Sequence, residues 1–438
     1  MLRVVMVAVV LLVVAMRGEA ATYHVDGARG EDARDGRSLK TAWRTLAKAN
    51  AELRPGDTCV VRGGKYPEGV IAPVRSGTEK ARITYAAYEK EKAELGGGDA
   101  GSVVLLADRS YVTVRGFTIR PVKVHDWVVQ MSGAKSQHNR IERCDISDPE
   151  GYAPVVIFGG SYNTVIECRL HDTGHGEEGS GDCIVLNGGA HHNTIRGNKL
   201  FNGCHSQALI MNGAHHNTLV DNELYATKRD WAGAGFNLVL GADSNVMARN
   251  RIHDLGYITD QKCAIQIDTA GNTIRDNVIY KCGAFGISPQ SYAYGGKRQV
   301  AEGNLIEGNT VRDCGRQGLM FVSKRDCISR NNRIVKNVIT GAPADWYGAN
   351  AWIMVFDTYH LNEPATPGEW FGNVFEGNVF FHAKAGEKDM VLYNHRGKAV
   401  TWSLPQLEKL YPKTFRGNRE VKPQFANPGR GDFRVKGQ

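Results

Sequence analysis

The chain has 438 residues, 42% of them hydrophobic and 23% charged, and a formal net charge of +8. This length is large for one compact core, but a repeat protein grows without that limit. The nine cysteines do not form the dense framework of a small disulfide scaffold, and no nucleic-acid recognition motif accompanies the positive charge. A basic exported protein suits an acidic polymer as partner, although the same charge also serves solubility.

The N-terminus has the pattern of a secretory signal. Arg3 precedes a short apolar stretch, which ends at the small residues before Ala20. This pattern predicts cleavage after Ala20 and a secreted or periplasmic product. An uncleaved anchor is the alternative, but the apolar run is short for a bilayer, and no later segment reads as a membrane span.

The next element is an amphipathic helix at residues 41–52, TAWRTLAKANAE. Its apolar residues recur at helical spacing, so we expect it to cap the apolar end of the following structure. Residues 87–102 are polar and glycine-rich, which indicates a surface loop.

An asparagine motif then repeats along the chain. HHNTIRGNKL at 191–200 nearly equals HHNTLVDNEL at 215–224, with asparagines five residues apart. The pairing occurs nine times, with cysteine as the second member in the first two copies: Asn139/Cys144, Asn163/Cys168, Asn193/Asn198, Asn217/Asn222, Asn245/Asn250, Asn272/Asn277, Asn304/Asn309, Asn332/Asn337 and Asn373/Asn378. The period is about 24 residues with insertions, which indicates a solenoid.

Each repeat contains three short runs of alternating apolar and polar residues, which predict strands. The second Asn lies at a bend, where its amide can donate to and accept from its equivalent in the next coil. Asn also tolerates a left-handed backbone there. With Cys144 and Cys168 in that position, we expect the first coils to rely on apolar stacking instead.

The Asn ladder, the YVTVRGFTI run at 111–119 and the N-terminal segment 22–66 resemble the pectate-lyase-like superfamily. The resemblance implies an all-β fold, a right-handed parallel β-helix of about ten coils with an N-terminal helical cap. We expect a signal peptide at 1–20, cap and first coils at 21–102, the β-helix at 103–383, and a C-terminal coil and cap at 384–438. The superfamily includes polysaccharide lyases, glycoside hydrolases, uronate epimerases and non-catalytic members.

The insertions surround the third strand of each coil and would wall a groove suited to a linear polymer. If Ile265 and Ile267 point inward, Gln266 and Asp268 point into this groove. The predicted catalytic residues are Lys228, Arg229, Lys262, His205 and Tyr257. The predicted substrate-binding residues are Asp182, Asp260, Gln266, Asp268, Trp231, Tyr292, Tyr294, Lys297 and Arg298. Ser288 and Gln290 follow one coil later.

β-Elimination of a uronate needs a neutralised carboxylate, a base for the C5 proton and a proton for the leaving oxygen. Lysine and arginine neighbours such as Lys228 and Arg229 suit the first two roles, since a second cation lowers the pKa of a lysine base. His205 or Tyr257 suits the third. The resemblance therefore favours a monomeric lyase acting on an acidic polysaccharide.

The same residues are also compatible with other functions. Asp182, Asp260 and Asp268 can supply the carboxylate pair of a glycoside hydrolase, and an epimerase or a non-catalytic binding protein fits the same groove. Ca²⁺ is an open cofactor: the loop at 174–182 is acidic, but the Asp-rich calcium motif of the family is missing. The histidine pairs 191–192 and 215–216 favour stacked, solvated turns over a metal site.

Overall fold

A computed structural model describes most of the chain. The described residues are 20–122, 127–148, 151–174, 181–228, 233–255, 263–294, 296–341, 353–361, 368–381, 391–395, 398–428 and 432–435. Over these residues the structure is almost entirely β, with the short helices α1 (Leu46–Glu52) and α2 (Leu404–Leu410) and one 3-10 turn (Leu39–Thr41). No helix in these ranges is long and apolar enough to cross a membrane.

The first part of the chain builds the capped end of the structure. Its strands are β1 (Thr22–Val25), β2 (Thr58–Val61), β3 (Gly64–Tyr66), β4 (Ile83–Ala87), β5 (Ala93–Leu95), β6 (Val104–Leu105), β7 (Val112–Arg115) and β8 (Thr118–Ile119). Helix α1 begins after Thr45, whose hydroxyl accepts from the Lys48 amide at 3.1 Å. Leu46 and Ala49 on its inner face are buried in the same core as the strands, so the helix covers the apolar end as predicted.

The middle of the chain is the regular part of the repeat. Its strands are β9 (Trp127–Ser132), β10 (Arg140–Glu142), β11 (Asp145–Asp148), β12 (Ala153–Phe158), β13 (Thr164–Ile166), β14 (Arg169–Thr173), β15 (Asp182–Asn187), β16 (Thr194–Arg196), β17 (Lys199–Gly203), β18 (Ser206–Ile210), β19 (Thr218–Val220), β20 (Glu223–Tyr225), β21 (Ala234–Leu238), β22 (Val246–Ala248), β23 (Arg251–His253), β24 (Cys263–Ile267), β25 (Thr273–Arg275) and β26 (Val278–Tyr280). Each strand pairs in parallel with its equivalent one coil away.

The last part carries longer strands and two hairpins. Its strands are β27 (Phe285–Tyr294), β28 (Lys297–Gln299), β29 (Leu305–Glu307), β30 (Thr310–Arg312), β31 (Gln317–Arg325), β32 (Arg333–Val335), β33 (Val338–Thr340), β34 (Met354–Leu361), β35 (Val374–Glu376), β36 (Val379–Phe381), β37 (Val391–His395), β38 (Lys398–Trp402), β39 (Phe415–Arg416), β40 (Arg419–Glu420), β41 (Phe425–Asn427) and β42 (Asp432–Val435). The β41–β42 hairpin packs Phe433 against Tyr280, with ring centroids 4.8 Å apart.

Three long sheets run the length of the molecule. Sheet A begins with β1, β2 and β4, sheet B with β3, β5 and β8, and sheet C contains β6, β9, β12 and their equivalents. Their inward side chains form one continuous apolar core. The predicted parallel solenoid is confirmed, and its number of coils agrees approximately with ten. The boundaries expected at 102/103 and 383/384 stay predictions, since the sheets continue across both positions.

Both asparagines of each motif form ladders, not only the second. The side-chain oxygen of Asn193 accepts a hydrogen bond from the backbone N–H of Asn163 at 2.9 Å. In the same way, the side-chain oxygen of Asn222 accepts one from the backbone N–H of Asn198 at 2.9 Å. The left-handed residue is the one before each asparagine, for example His192 with φ 55°. The expectation that Asn itself takes this conformation is therefore wrong, because its buried amide needs the ordinary backbone that follows the bend.

The cysteines at the ladder positions form more of the hydrogen bonds of the asparagines they replace than the sequence predicted. The Cys168 thiol donates to the carbonyl of Ile141 at 3.6 Å, where the Asn198 amide donates to the equivalent carbonyl of Val165 at 3.0 Å. The Cys168 backbone still donates to the Asn198 side chain at 2.8 Å. The first coils thus combine weak thiol hydrogen bonds with burial, rather than apolar stacking alone.

The histidine pairs lie at the corner before sheet A. His191 stacks on His215 with centroids 5.2 Å apart, and His192 stacks on His216 at 5.3 Å. His192 and His216 are exposed, so the histidines stack in solvated turns, as predicted.

Candidate functional site

Polar side chains lie on the outer face of sheet C, near the C-terminal ends of its strands. Ile265 and Ile267 of β24 are fully buried in the core, which directs Gln266 and Asp268 to the outside as the alternation predicted. Asp268 Oδ2 accepts hydrogen bonds from the Tyr292 hydroxyl at 2.7 Å and from Gln266 Nε2 at 2.7 Å. Three residues predicted in substrate binding therefore meet in one cluster.

Asp268 is fully buried, and its Oδ1 has no hydrogen-bond partner within the described structure. Burial raises the pKa of Asp268 to about 7, although the hydrogen bonds from Tyr292 and Gln266 and the charge of Lys324 oppose the change. Near neutral pH this carboxyl group is therefore divided between its acid and base forms, which suits proton transfer.

The neighbouring strands extend this polar surface. Gln290 Nε2 donates to the Ser288 hydroxyl at 3.0 Å, and that hydroxyl donates to the carbonyl of Met320 at 2.8 Å. On the other side, Asn237 pairs with Gln266 across β21 and β24, and its buried Oδ1 has no partner among the described residues. The predicted alignment of Ser288 and Gln290 one coil after Gln266 and Asp268 is confirmed in part by the pairing of Gln266 with Ser288.

A second polar cluster lies at the N-terminal ends of the strands of sheet C. His205 Nδ1 is 2.8 Å from Asp182 Oδ1, and the Ser206 hydroxyl also donates to that oxygen. Asp182 is fully buried, whereas the His205 side chain is 28% exposed. Tyr152 lies close to Asp182. Burial is the main cause that raises the pKa of Tyr152 to about 12, and the nearby Asp182 carboxylate is the second cause. A buried carboxylate thus orients an accessible imidazole.

Lys228 lies one coil beyond His205, at the corner between sheets B and C. The preceding Thr227 accepts a hydrogen bond from Asn202, which also donates to Asp172. Although burial raises the pKa of Asp172, hydrogen bonds from His171 and Asn202 and the charges of His171 and Lys228 lower it below its usual range. Lys228 therefore has the Asp172 carboxylate as a charged neighbour.

Asp182 and Asp268 do not form a hydrolase pair. Asp182 begins β15 and Asp268 directly follows β24, so the two lie three coils apart and at opposite ends of the strands of sheet C. At about 4.8 Å per coil and 3.3 Å per residue, they are separated by roughly 20 Å. Glycoside hydrolysis needs carboxylates about 5–10 Å apart. The sequence-based suggestion of this pair is therefore wrong, because it ignored their positions along the strands.

The remaining predicted residues divide into two groups. Lys297 and Arg298 lie exposed on the β27–β28 hairpin, where Arg298 pairs with Asp326 at 3.4 Å, and the Tyr294 backbone belongs to the same hairpin. Five predicted residues lie outside the described residues: Arg229, Trp231, Tyr257, Asp260 and Lys262. Their roles stay predictions.

Metal binding also stays open, because part of the acidic loop considered for Ca²⁺ lies outside the described residues. Within the ranges that the structure describes, no group of three or more His, Cys, Asp or Glu side chains could hold a metal ion. Residues 175–180, the centre of the acidic loop considered for Ca²⁺, lie outside those ranges.

Sequence reasoning missed an apolar part of the same face. Trp127, Tyr152 and Phe158 lie on the outer side of sheet C over β9 and β12. The runs WVVQM at 127–131 and APVVIF at 153–158 do not alternate, which was an available signal of a strand covered on both faces.

Family comparisons agree with this geometry. The model of the Pel9A-like, right-handed β-helix region matches residues 23–214, and that of the right-handed β-helix region matches residues 237–350. Both models describe right-handed β-helix regions, which is consistent with the pectate-lyase-like superfamily that the sequence resembles. Curated proteins give no significant match.

Solved structures show the same fold at low identity. A GH136 lacto-N-biosidase from Eubacterium ramulus is 14% identical, with a TM-score of 0.53 over 86% of this chain and 67% of that one. The PL6 family alginate lyase AlyGC is 14% identical, with a TM-score of 0.51 over 87% of this chain and 58% of that one. A mannuronic acid specific family 6 lyase from human gut microbiota is 15% identical, with a TM-score of 0.51 and coverages of 87% and 88%.

Proposed function

We propose that this β-helix protein cleaves an acidic polysaccharide by β-elimination in the groove on the outer face of sheet C. The observation that carries the proposal is the 2.8 Å contact between His205 and the buried Asp182 carboxylate. Two structures with this fold are named as lyases, one of them for alginate and one for mannuronic acid. The formal net charge of +8 also suits an acidic polymer.

The Asp182 contact defines a role for His205. If His205 donates Nδ1–H to the carboxylate, its Nε2 is the acceptor nitrogen and can act as a base. In β-elimination Nε2 takes the C5 proton of the uronate, the C4–C5 double bond forms, and the C4–O bond breaks as the leaving oxygen is protonated. Asp182 then stabilises the imidazolium. This assignment makes His205 the base, whereas the sequence alone suggested a proton donor.

The charged lysine next in the groove completes the proposed site. Lys228 would neutralise the substrate carboxylate, because an adjacent cation stabilises the charge that builds up when the C5 proton leaves. Arg229, Lys262 and Tyr257 keep the roles that the sequence suggested for them.

Hydrolysis is the second candidate, and one observation favours it. Asp268 has a pKa of about 7, which suits the general acid of a glycoside hydrolase. Asp260 is the remaining predicted carboxylate that could serve with it.

One assay separates these reactions. The protein is incubated with pectate, alginate and glycosaminoglycans, with and without a chelator. Ultraviolet absorbance that rises with new chain ends identifies a lyase, as we expect. Reducing ends without absorbance would identify a hydrolase, and changed sugar configuration without cleavage an epimerase. If all signals stay flat on a wide panel, the protein binds polysaccharide without cleaving it.

Variants test the assignment of the base. His205→Ala should lower the cleavage rate by about 10²–10⁴-fold, as expected for loss of a general base. Asp182→Asn should also lower the rate, because it disturbs the tautomer of His205. The matched control is His216→Ala, an exposed histidine at a different corner, which should keep the wild-type rate. A fully active His205→Ala variant would contradict the site while leaving lyase activity itself intact.

A further inference from the structure

Two pairs of cysteines occupy equivalent positions in adjacent coils. Cys144 and Cys168 hold the second position of the asparagine motif in its first two copies, and Cys282 and Cys314 each lie five residues after a ladder asparagine. The strands on both sides of Cys144 and Cys168 pair in register, and so do β26 and β30, which end two residues before the other pair. Each pair is therefore separated by one coil of the solenoid.

The backbone separation of these positions suits a disulfide. Equivalent residues of adjacent parallel strands lie about 4.8 Å apart, and disulfides join residues whose Cα atoms are about 4.4–6.8 Å apart. Backbone hydrogen bonds hold the coils together at both places. The Arg169 amide donates to the Cys144 carbonyl at 2.9 Å, and the Gly315 amide donates to the Cys282 carbonyl at 2.7 Å. A bond between the sulfur atoms thus requires little movement of the coils.

The side chains of each pair already touch. All four cysteines are at most 2% exposed and belong to the same apolar core. The sulfur atoms of each pair lie within hydrogen-bonding contact. The hydrogen bond with Cys314, followed by burial, raises the pKa of Cys282 well above its usual range. Burial, followed by the hydrogen bond with Cys144, does the same for Cys168. Such thiols react slowly inside the closed core, so their oxidation belongs to folding, before burial is complete.

We propose that Cys144–Cys168 and Cys282–Cys314 are disulfides in the exported protein, each joining two adjacent coils. In each pair both thiols lose their hydrogen and one S–S bond forms. The two protons and two electrons pass to a disulfide of the export compartment, which becomes two thiols. Compartments outside the cytosol retain such bonds. The inference rests on the export that the signal sequence predicts, and it is independent of the reaction proposed above.

The first disulfide would join the coils at the corner between sheets A and B, and the second at the corner between sheets B and C. The second corner leads directly into β27, which carries the Tyr292 hydroxyl that donates to Asp268. Each bond closes a loop of one coil, which restricts the unfolded chain and stabilises the fold.

Peptide mapping by mass spectrometry tests both bonds. The exported protein is unfolded with iodoacetamide in the absence of reductant and digested with trypsin. Cys144 and Cys168 fall in one tryptic peptide, residues 144–169, because no lysine or arginine lies between them. This peptide should be lighter than its dithiol form by two hydrogen atoms and should carry no alkyl group. The peptides 282–297 and 313–316 should appear joined to each other.

Cys59 is the control within the same digest, because its in-register neighbours are Tyr23 and Tyr85. It should be alkylated. The Cys314→Ser variant should make Cys282 alkylated and leave the peptide 144–169 unchanged. If that variant does not fold, the wild-type peptides decide. Alkylation of both members of a pair in the folded wild type, or a bond from either member to another cysteine, would overturn the disulfide assigned to that pair.

A refolded sample separates this inference from export and from the proposed function. The full chain is unfolded in reductant, refolded in a buffer of reduced and oxidised glutathione, and mapped in the same way. If the host does not export the chain, joined peptides in the refolded sample support the pairing while the export prediction fails, and alkylated peptides overturn the pairing. A protein that cleaves none of the polymers but yields the joined peptides keeps the disulfides and loses the lyase proposal.

Discussion

Asp268 is a carboxyl group that folding removes completely from water. Its pKa rises to about 7 through burial, against about 3.9 for an aspartate in an unfolded chain. Between these values the folded protein holds a proton that the unfolded chain has released, so the free energy of unfolding falls as pH rises. From pH 5 to pH 8 we expect Asp268 to account for a loss of about 3 kcal/mol, which Asp268→Asn should remove. Urea denaturation at both pH values measures it.

The control for this prediction is Asp276→Asn, which changes an exposed aspartate at the corner between sheets A and B. It should follow the pH dependence of the wild type. An Asp268→Asn protein that loses as much stability as the wild type between pH 5 and pH 8 would show that Asp268 is ionised in the folded state across this range.

At the scale of one structural element, the asparagine ladder holds the corner between sheets A and B together. Asn222 Nδ2 donates to the Ile195 carbonyl at 2.9 Å, and its Oδ1 accepts from the Asn198 backbone at 2.9 Å. Asn222→Ala would leave both buried groups without partners. Each lost hydrogen bond costs about 1–3 kcal/mol, so we expect a clearly lower melting temperature.

Asn187→Ala is the matched control for the ladder, because Asn187 is partly exposed and bonds Asn212 at 3.0 Å near the surface. Water can replace that bond, so the melting temperature should change little. Equal melting temperatures for Asn222→Ala and the wild type would mean that the corner does not depend on this amide.

At the scale of the whole molecule, the first strand begins two residues after the end of the predicted signal peptide. The backbone amide of Ala21 donates to Asp57 Oδ1 at 2.9 Å, and β1 starts at the next residue. We propose cleavage after Ala20, which would turn this amide into an α-amino cation beside the Asp57 carboxylate. Mass spectrometry of the exported protein should therefore give a mature N-terminus at Ala21. A product that retains Met1 in the membrane fraction would refute the proposal.

The repeat, the strands and the end-capping helix followed from the sequence alone. Solenoid coils depend on local alternation and on the asparagine five residues after its partner, and both are visible along the chain. The same alternation placed Ile265 and Ile267 inside and Asp268 outside. These features are local, because each coil contacts mainly its immediate neighbours.

Tertiary structure alone decided which polar residues meet. Sequence order suggested that Asp182 and Asp268 could cooperate, but the register of β15 and β24 puts them at opposite ends of the strands of sheet C. It instead brings His205 to Asp182 and Tyr292 to Asp268. Such contacts depend on where each loop returns to the sheet, and insertions of variable length hide this in the sequence. The raised pKa of Asp268 also needs burial by several segments at once, a property that no single stretch of sequence encodes.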